Sequence, residues 1–330
     1  MLKMTNAITV VAPNNNEDED ANLQYTINVT DVNSYNVRYC DYCSNKSSIS
    51  DSSYNENQTE NAQKIVIVLQ ERLIEEWLNV ASMLAQRGIR LIIPEIIGFG
   101  YSDKPAANYN IDFFIDFLVT FLEKLKITDR EKRSITILGY SLGGQLAAEL
   151  AIRFASKKPS IEKLILVAPT GTMTNSNPAL VRYIMAMHDD CFSIYPGFAD
   201  IHLTHELFSY YMIYNPNVVV IPEELIRNYS NALKLPNARY ASISAILEFG
   251  LAQRVKDGKL TPKLKGRLSY INFPTLVIWG YNDKIVPVEN SKGFMDEIPN
   301  CKLLVIRDCG HIPHIEKPIE FSKIILDFLL

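Results

Sequence analysis

The feature of this sequence that most constrains its fold is a regular alternation, from Lys64 onward, of short apolar runs with longer amphipathic segments. The runs have the length of strands, and the segments between them have the length and spacing of helices. This order is expected for a mostly parallel sheet flanked by helices. A core of that kind needs many apolar residues, and 47% of the 330 residues are hydrophobic. The sequence therefore predicts an α/β fold.

Strands and helices are predicted in turn along this region. The strands are Lys64–Leu69, Arg90–Pro94, Ser134–Gly139, Lys163–Ala168, Thr275–Trp279 and Lys302–Ile306. The helices are Glu75–Gln86, Ile111–Leu125, Ser141–Ala155, Val288–Glu297 and Glu320–Leu329. Ahead of them, two β-like stretches, Leu23–Val29 and Asn36–Tyr42, precede a Ser/Asn-rich tract over Cys43–Gln63 that is predicted to be a flexible insertion.

The alternation is interrupted once, from Thr170 to Arg267, where patterns of helical spacing rich in Tyr, Phe and Met replace the buried strands. Leu180–His188 and Leu207–Tyr214 are two such patterns. A long insertion in a regular sheet is most simply a helical subdomain, and this one follows a strand whose carboxyl end faces the ligand-binding edge. The predicted organisation is an N-terminal β-hairpin region with its flexible insertion (1–63), an α/β core (64–169 and 268–330) and a helical lid (170–267).

Charge and composition exclude several classes of function. The formal charge of −4 leaves no basic excess to neutralise phosphates, so no nucleic-acid partner is expected. No apolar run approaches the roughly 18 residues that span a bilayer, and Met1–Val11 is a poor signal peptide. The five cysteines are too few and too scattered for a disulfide framework, which favours a cytoplasmic location. Nothing in the sequence indicates the oligomeric state.

No metal or cofactor is predicted. His188, His202 and His205 fall in the insertion without a carboxylate or thiol that would complete a ligand set. Cys40 and Cys43 form a single C-x-x-C with no second pair at a suitable spacing.

The strongest chemical motif is the G-x-S-x-G sequence over Gly139–Gly143. A strand-like run leads into it, and a helical stripe of Leu and Phe leads out, which is the context of a nucleophile elbow. Ser141 would then present its hydroxyl at a helix N-terminus, where the backbone N–H of Leu142 can stabilise a developing oxyanion. An ordinary glycine-containing turn is the alternative.

A serine hydroxyl needs a base, and the base needs a group that fixes its tautomer. Asp283 follows the predicted strand Thr275–Trp279, and His311 follows Lys302–Ile306. The order Ser, Asp, His is the one that this type of elbow uses. In the alternative reading, Asp283 caps the next helix and His311 is an ordinary surface residue.

Four segments in this order resemble the α/β-hydrolase superfamily, in the branch of epoxide hydrolases, haloperoxidases and C–C hydrolases. They are Ile97–Pro105 (IGFGYSDKP), Gly139–Gly144 (GYSLGG), Trp279–Asp283 (WGYND) and Gly310–Pro318 (GHIPHIEKP). The resemblance covers residues 64–330 and implies the α/β-hydrolase fold with a helical lid. It also implies that Ser141 is the nucleophile, His311 the base and Asp283 the residue that orients it, with His314 only a neighbour.

The sequence departs from this family after the first core strand, where members usually carry His-Gly and the next backbone N–H completes the oxyanion hole. Here Gln70 and Glu71 stand in those places, so Arg72 or Leu73 would have to supply the N–H beside that of Leu142. Loss of one such donor costs about 3 kcal/mol of transition-state stabilisation, so weak activity is one expected outcome.

The leading interpretation is a serine hydrolase that cleaves a small or medium apolar ester-type substrate, a carboxylester or thioester, through Ser141, His311 and Asp283 and an acyl-enzyme. Two alternatives remain open. One is C–C bond hydrolysis by the same triad, and the other is a non-catalytic α/β-hydrolase module that binds a ligand or protein.

Overall fold

The structure is a computed structural model that describes residues 8–11, 23–44, 64–127, 135–155, 161–172, 212–251, 254–256, 259–261 and 263–330. Its strands are β1 (Ile8–Val11), β2 (Leu23–Val32), β3 (Tyr35–Ser44), β4 (Ile65–Leu69), β5 (Arg90–Pro94), β6 (Ile135–Tyr140), β7 (Ile161–Val167), β8 (Arg254–Lys256), β9 (Lys259–Thr261), β10 (Thr275–Gly280) and β11 (Cys301–Ile306). Its α-helices are α1 (Leu78–Ala85), α2 (Ile111–Lys124), α3 (Leu142–Phe154), α4 (Glu223–Leu233), α5 (Ala238–Ile246), α6 (Ser291–Glu297), α7 (Pro313–Glu316) and α8 (Pro318–Leu329).

A single nine-stranded sheet, in the order β1-β2-β3-β5-β4-β6-β7-β10-β11, forms the centre of the molecule. The strands from β5 to β11 in this order pair in parallel, whereas β1, β2 and β3 add an antiparallel extension beside β5. Every side chain of β4, β6 and β10 is buried, as expected for parallel strands that are covered on both faces. The predicted α/β architecture with a mostly parallel sheet is therefore confirmed.

The predicted core strands match the observed ones to within two residues at each end. Two predicted helices begin differently. Glu75–Gln86 starts as a 3-10 turn over Ile74–Trp77 before α1, and Val288–Glu297 starts as a 3-10 turn over Val288–Asn290 before α6. Such tight first turns are common at helix ends and do not change the apolar periodicity that predicted the helices.

The described part of the insertion contains α4, α5 and the antiparallel pair β8 and β9. The two strands have three residues each, too short for a periodic pattern, so a purely helical prediction missed them. The predicted helix Leu180–His188 lies outside the described residues, as do residues 207–211 of the other predicted helix. The division into core and lid stays a prediction. None of the helices in the described ranges has the length and hydropathy needed to cross a bilayer.

An ion pair ties the hairpin of β2 and β3 to the core. The guanidinium of Arg38, in β3, donates to the carboxylate of Glu95, which follows β5 and is completely buried. Glu95 also accepts hydrogen bonds from the backbone N–H groups of Tyr101 (2.7 Å) and Ile74 (3.4 Å). Burial raises the pKa of Glu95 to about 7 although Arg38 pulls it down. The hairpin thus holds the loop after β5 in place.

Replacing Arg38 with Ala should lower the free energy of unfolding by about 3 kcal/mol, because Glu95 would be left as a buried carboxyl without its cation. Arg90→Ala is the matched control, since its ion pair with Asp41 on the same hairpin is partly exposed and should be worth about 1 kcal/mol or less. Urea unfolding of both variants measures the difference. Equal losses would show that the hairpin is not held through Glu95.

Candidate active site

Ser141 lies at a strained turn between β6 and α3. Its φ of 55° and ψ of −118° fall outside the regions that L residues normally occupy. Backbone hydrogen bonds on both sides hold this conformation, from Ser141 N–H to Val167 O (2.9 Å) and from Thr170 N–H to Ser141 O (3.1 Å). The turn has the geometry expected of a nucleophile elbow.

Close packing explains why glycines surround Ser141. A Cβ on Gly143 would lie 2.1 Å from the carbonyl oxygen of Leu69, at the end of β4. A Cβ on Gly139 would lie 2.4 Å from the carbonyl oxygen of Gly143. The start of α3 therefore rests directly on the end of β4, and the loop that follows β4 is brought against the elbow.

The structure brings together the three side chains that the sequence singled out. His311 Nε2 is 3.0 Å from Ser141 Oγ, and His311 Nδ1 is 2.6 Å from Asp283 Oδ2. All three residues are buried. Each follows the carboxyl end of a strand, β6, β10 or β11, and such ends meet at one edge of a parallel sheet.

Asp283 fixes the orientation of His311. Its Oδ1 accepts from the N–H groups of Ile285 (2.8 Å) and Val286 (2.9 Å), which leaves Oδ2 for the imidazole. Because an ionised carboxylate only accepts, His311 Nδ1 carries the proton and the lone pair of Nε2 faces Ser141. This is the tautomer that can remove a proton from the serine hydroxyl.

Further contacts hold the loop that carries His311. Glu316, in α7, accepts from the N–H of Gly310 (2.7 Å) and from the N–H of Tyr214 (2.8 Å). The N–H of His311 donates to the carbonyl of Met212 at 2.9 Å. Burial raises the pKa of Glu316, while these backbone donors oppose the rise. The loop is thus bonded both to α7 and to residues of the insertion.

An apolar cavity lies over Ser141 and His311. Residues of α4 and α5 and of the π-helical turn over Leu247–Leu251 form much of its wall. The lining side chains from these elements are Tyr229, Ala232, Leu233, Ala238, Ser242, Ile246 and Phe249. Met212, from the part of the insertion that is rich in Tyr, Phe and Met, also lines the cavity. The other such residues Tyr183, Met185, Met187, Phe192, Phe208, Tyr210 and Tyr211 lie outside the described residues.

The predicted oxyanion residues lie beside this cavity, but one of them is already engaged. Leu142 is the first residue of α3, so its N–H has no acceptor within the helix. The N–H of Arg72 donates to the side-chain oxygen of Gln70 at 2.5 Å, and its part as an oxyanion donor stays a prediction. Leu73 lines the cavity, and its part as a donor stays a prediction.

Glu71 occupies the wall of the cavity nearest the elbow. Its Oε2 accepts a hydrogen bond of 3.3 Å from the N–H of Gly143, in the first turn of α3. Burial raises the pKa of the Glu71 carboxyl, while the charges of Arg72 and His311 and the N–H of Gly143 act in the opposite direction. Glu71 is one of the two positions at which the sequence departs from the family pattern.

A buried polar cluster behind the cavity was not predicted. The Nε of Arg72 donates to both carboxylate oxygens of Glu76, at 2.8 and 3.0 Å, and the hydroxyl of Tyr229 donates to the same carboxylate. His314 does not contact Ser141 but lies 3.4 Å from Glu76 and stacks on Trp77. Burial alone would raise the pKa of Glu76, but Arg72 and His314 hold it below its ordinary value.

Only part of that cluster has a signal in the sequence. Arg72 and Glu76 are four residues apart, a spacing that places side chains on one helical face. The contribution of Tyr229 depends on how α4 packs over the core, which no local spacing encodes. Among the described residues, no group of His, Cys, Asp and Glu is arranged to hold a metal ion.

Comparison with known families decides where the chain belongs. A family model described as alpha/beta hydrolase fold matches residues 73–318. A 2-hydroxymuconate semialdehyde hydrolase from Pseudomonas sp. (strain CF600) is 30% identical over 254 residues, which are 77% of this chain and 80% of that protein. The chain belongs to the alpha/beta hydrolase family. A monoacylglycerol lipase from Homo sapiens is 25% identical over 268 residues, 77% of this hydrolase and 71% of the lipase.

Solved structures show the same fold at lower sequence identity. A serine hydrolase involved in carbazole degradation (the CarC enzyme) covers 92% of this hydrolase and 98% of its own chain, with a TM-score of 0.67 and 20% identity. The 2-hydroxy-6-oxo-6-phenylhexa-2,4-dienoate hydrolase from Rhodococcus sp. strain RHA1 matches with a TM-score of 0.69 and 18% identity. The match covers 92% of this chain and 98% of that one. The predicted family and hydrolase fold are confirmed.

The tautomer of His311 can be tested in this hydrolase with Asp283→Asn. The Asn side-chain oxygen can keep both backbone bonds, so its NH2 group must face His311 Nδ1 and donate to it. We expect the ring proton to move to Nε2, which 15N NMR of the imidazole nitrogens reports directly. Asp308→Asn is the control, because Asp308 is exposed in the loop that carries His311, and it should leave the tautomer of His311 unchanged. A folded Asp283→Asn protein that keeps the Nδ1 proton would contradict this geometry.

Proposed function

We propose that this protein is a serine hydrolase that cleaves an apolar ester-type substrate through Ser141, His311 and Asp283. The hydrogen-bonded chain from Asp283 through His311 to Ser141 is the observation that carries the proposal. A nucleophile, a base and an orienting carboxylate in this order are the arrangement that acyl transfer requires.

In the proposed reaction, His311 Nε2 takes the proton of Ser141 as Oγ attacks the carbonyl carbon. Asp283 stabilises the imidazolium that forms, and the N–H of Leu142 at the start of α3 stabilises the oxyanion. The imidazolium then protonates the leaving group, and an acyl-enzyme remains. Water activated by the same imidazole releases the acid and restores Ser141.

The lining of the cavity favours an uncharged acyl group. Apolar side chains form most of the wall, and the insertion would act as the lid that encloses the substrate. The ammonium of Lys104, whose pKa is lowered to about 8 by burial, donates to the carbonyls of Gly100 (2.7 Å) and Ser102 (2.8 Å). The guanidinium of Arg72 is bonded to Glu76. A substrate carboxylate would therefore lose its hydration and would have to compete with these protein groups for a counter-charge.

C–C bond hydrolysis by the same triad is the second candidate, and the names of several relatives favour it. Two are called 2-hydroxymuconate semialdehyde hydrolases, and a third, 24% identical over 259 residues, is called a 2-hydroxy-6-oxo-2,4-heptadienoate hydrolase. A dienoate carries a carboxylate, which the cavity described above does not favour.

A cytoplasmic location remains our expectation from the sequence.

A fluorophosphonate probe should label the wild-type protein at Ser141, and Ser141→Ala should abolish the labelling and lower esterase activity on the order of 10⁴-fold or more. Ser242→Ala is the control, because Ser242 lines the same cavity from α5 but has no base beside it in the described structure. Label of equal intensity on the Ser141→Ala protein would remove the basis of the proposed function. Absence of label and turnover in folded wild type would leave the non-catalytic alternative.

The kcat/KM values of two esters with acyl chains of matched size, and of a dienoate, should distinguish ester hydrolysis from C–C bond hydrolysis. We expect kcat/KM for the p-nitrophenyl ester of pentanoate to exceed that for the mono-ester of succinate by about tenfold or more, since the second buries a carboxylate. The 2-hydroxy-6-oxo-2,4-heptadienoate is measured beside them by loss of its dienol absorbance. A higher kcat/KM for the dienoate than for every ester would show that C–C hydrolysis is the better assignment.

A further inference from the structure

The loop after β4 places a carboxyl group where this fold normally has a backbone donor. In a nucleophile-elbow hydrolase, the oxyanion is bound by the N–H that follows the nucleophile and by an N–H from a loop after a neighbouring strand. In this protein the Arg72 N–H donates to Gln70 instead. The side chain of Glu71 reaches the first turn of α3 and lines the cavity together with Ser141 and His311.

The protonation state of Glu71 decides what this carboxyl can do. As an anion it only accepts hydrogen bonds, and it would repel the negative charge that develops on a substrate carbonyl oxygen. As a neutral acid it carries an O–H that can donate to that oxygen. A hydrogen bond to an oxygen that is gaining negative charge is stronger than one between two neutral groups. A carboxylic acid kept neutral by an apolar site is a known way to build an oxyanion hole.

The surroundings of Glu71 act on this balance in both directions. Glu71 is half-buried, and this burial raises its pKa and favours the neutral acid, whereas the charge of Arg72, the backbone N–H of Glu71 itself, the charge of His311 and the N–H of Gly143 favour the anion. Arg72 is itself bonded to Glu76, which reduces its effect on Glu71. The titratable and charged groups that interact with Glu71 or line the cavity with it are Arg72, Lys104, Tyr140, Tyr229 and His311. Glu76 and Asp283 lie behind them, bonded to Arg72 and His311.

We propose that Glu71 is a further catalytic residue of the hydrolase proposed above, and that its protonated carboxyl donates a hydrogen bond to the substrate carbonyl oxygen as the tetrahedral intermediate forms. The bond between Ser141 Oγ and the carbonyl carbon forms, and the carbonyl π electrons move to the oxygen. The serine proton passes to His311 Nε2, and the proton of Glu71 stays on Glu71. Substrate replaces the N–H of Gly143 as the partner of this carboxyl.

Two variants test the proposal through hydrolysis of an uncharged p-nitrophenyl ester from about pH 5 to about pH 9. Glu71→Gln keeps a donor that does not ionise, and Glu71→Ala removes it. Glu71 can donate only while it is protonated. The ratio of the wild-type rate to the Glu71→Gln rate should therefore be constant at pH values below the pKa of Glu71 and fall about tenfold per pH unit above that pKa. Below that pKa, Glu71→Ala should be slower than wild type by about a hundredfold.

A ratio that rises with pH would overturn the proposal, because the anion would then be the more active form of Glu71, and so would a Glu71→Ala protein that matches or exceeds the wild type at every pH. The second result would show that Glu71 only obstructs the site. Either result with an active, Ser141-labelled wild type leaves the proposed function intact. Loss of label and turnover in the wild type would instead end the proposed function itself.

A measurement on the wild type alone covers the case in which both variants unfold. A trifluoromethyl ketone adds to Ser141 with its proton moving to His311, so the addition itself takes up no proton from solution. Above the pKa of Glu71, titration calorimetry in buffers of different ionisation enthalpy should show uptake approaching one proton as Glu71 becomes the donor. An addition without proton uptake at every pH, or no addition by the active enzyme, would contradict the proposal.

Discussion

The contact between the start of α3 and the end of β4 is the constraint on which the site depends. Only a glycine at position 143 lets the helix approach so closely that its backbone touches the carbonyl of Leu69. The approach holds Ser141 in its strained turn and also presses the loop after β4 against the elbow. Glu71, the second residue of that loop, lines the cavity together with Ser141, so its chemistry cannot be separated from that of the nucleophile.

Much of the fold and part of the site were accessible from the sequence because they depend on local patterns. Buried parallel strands are continuous apolar runs, and Ser141, Asp283 and His311 each follow such a run, so their convergence at one sheet edge follows from the topology. The orientation of the Arg72 amide was not accessible. It depends on whether the side chain of Gln70 folds back to accept from it, which no spacing or composition encodes.

The insertion contacts the site at points outside the cavity wall as well. The carbonyl of Met212 accepts from the backbone of His311, and Tyr229 on α4 donates to Glu76 beneath the loop after β4. Two segments of the insertion are thus bonded to the two loops that carry the base and Glu71. A displacement of α4 would disturb the carboxylate of Glu76 and, through it, the guanidinium of Arg72. The geometry of the site and the position of the insertion are therefore coupled through short, direct contacts.

Glu71 and Glu76 lie on either side of Arg72 in the chain, and the structure gives them opposite environments. The guanidinium of Arg72 turns to Glu76, which also receives hydrogen bonds from Tyr229 and His314, so its pKa is lowered and it remains an anion. Glu71 accepts a longer hydrogen bond from the start of α3, and burial raises its pKa although the charge of Arg72 acts against the rise. Two carboxyls whose pKa values are moved apart can take different roles in one site. Glu76 fixes the arginine, and the carboxyl of Glu71 is the one poised to hold a proton beside the nucleophile.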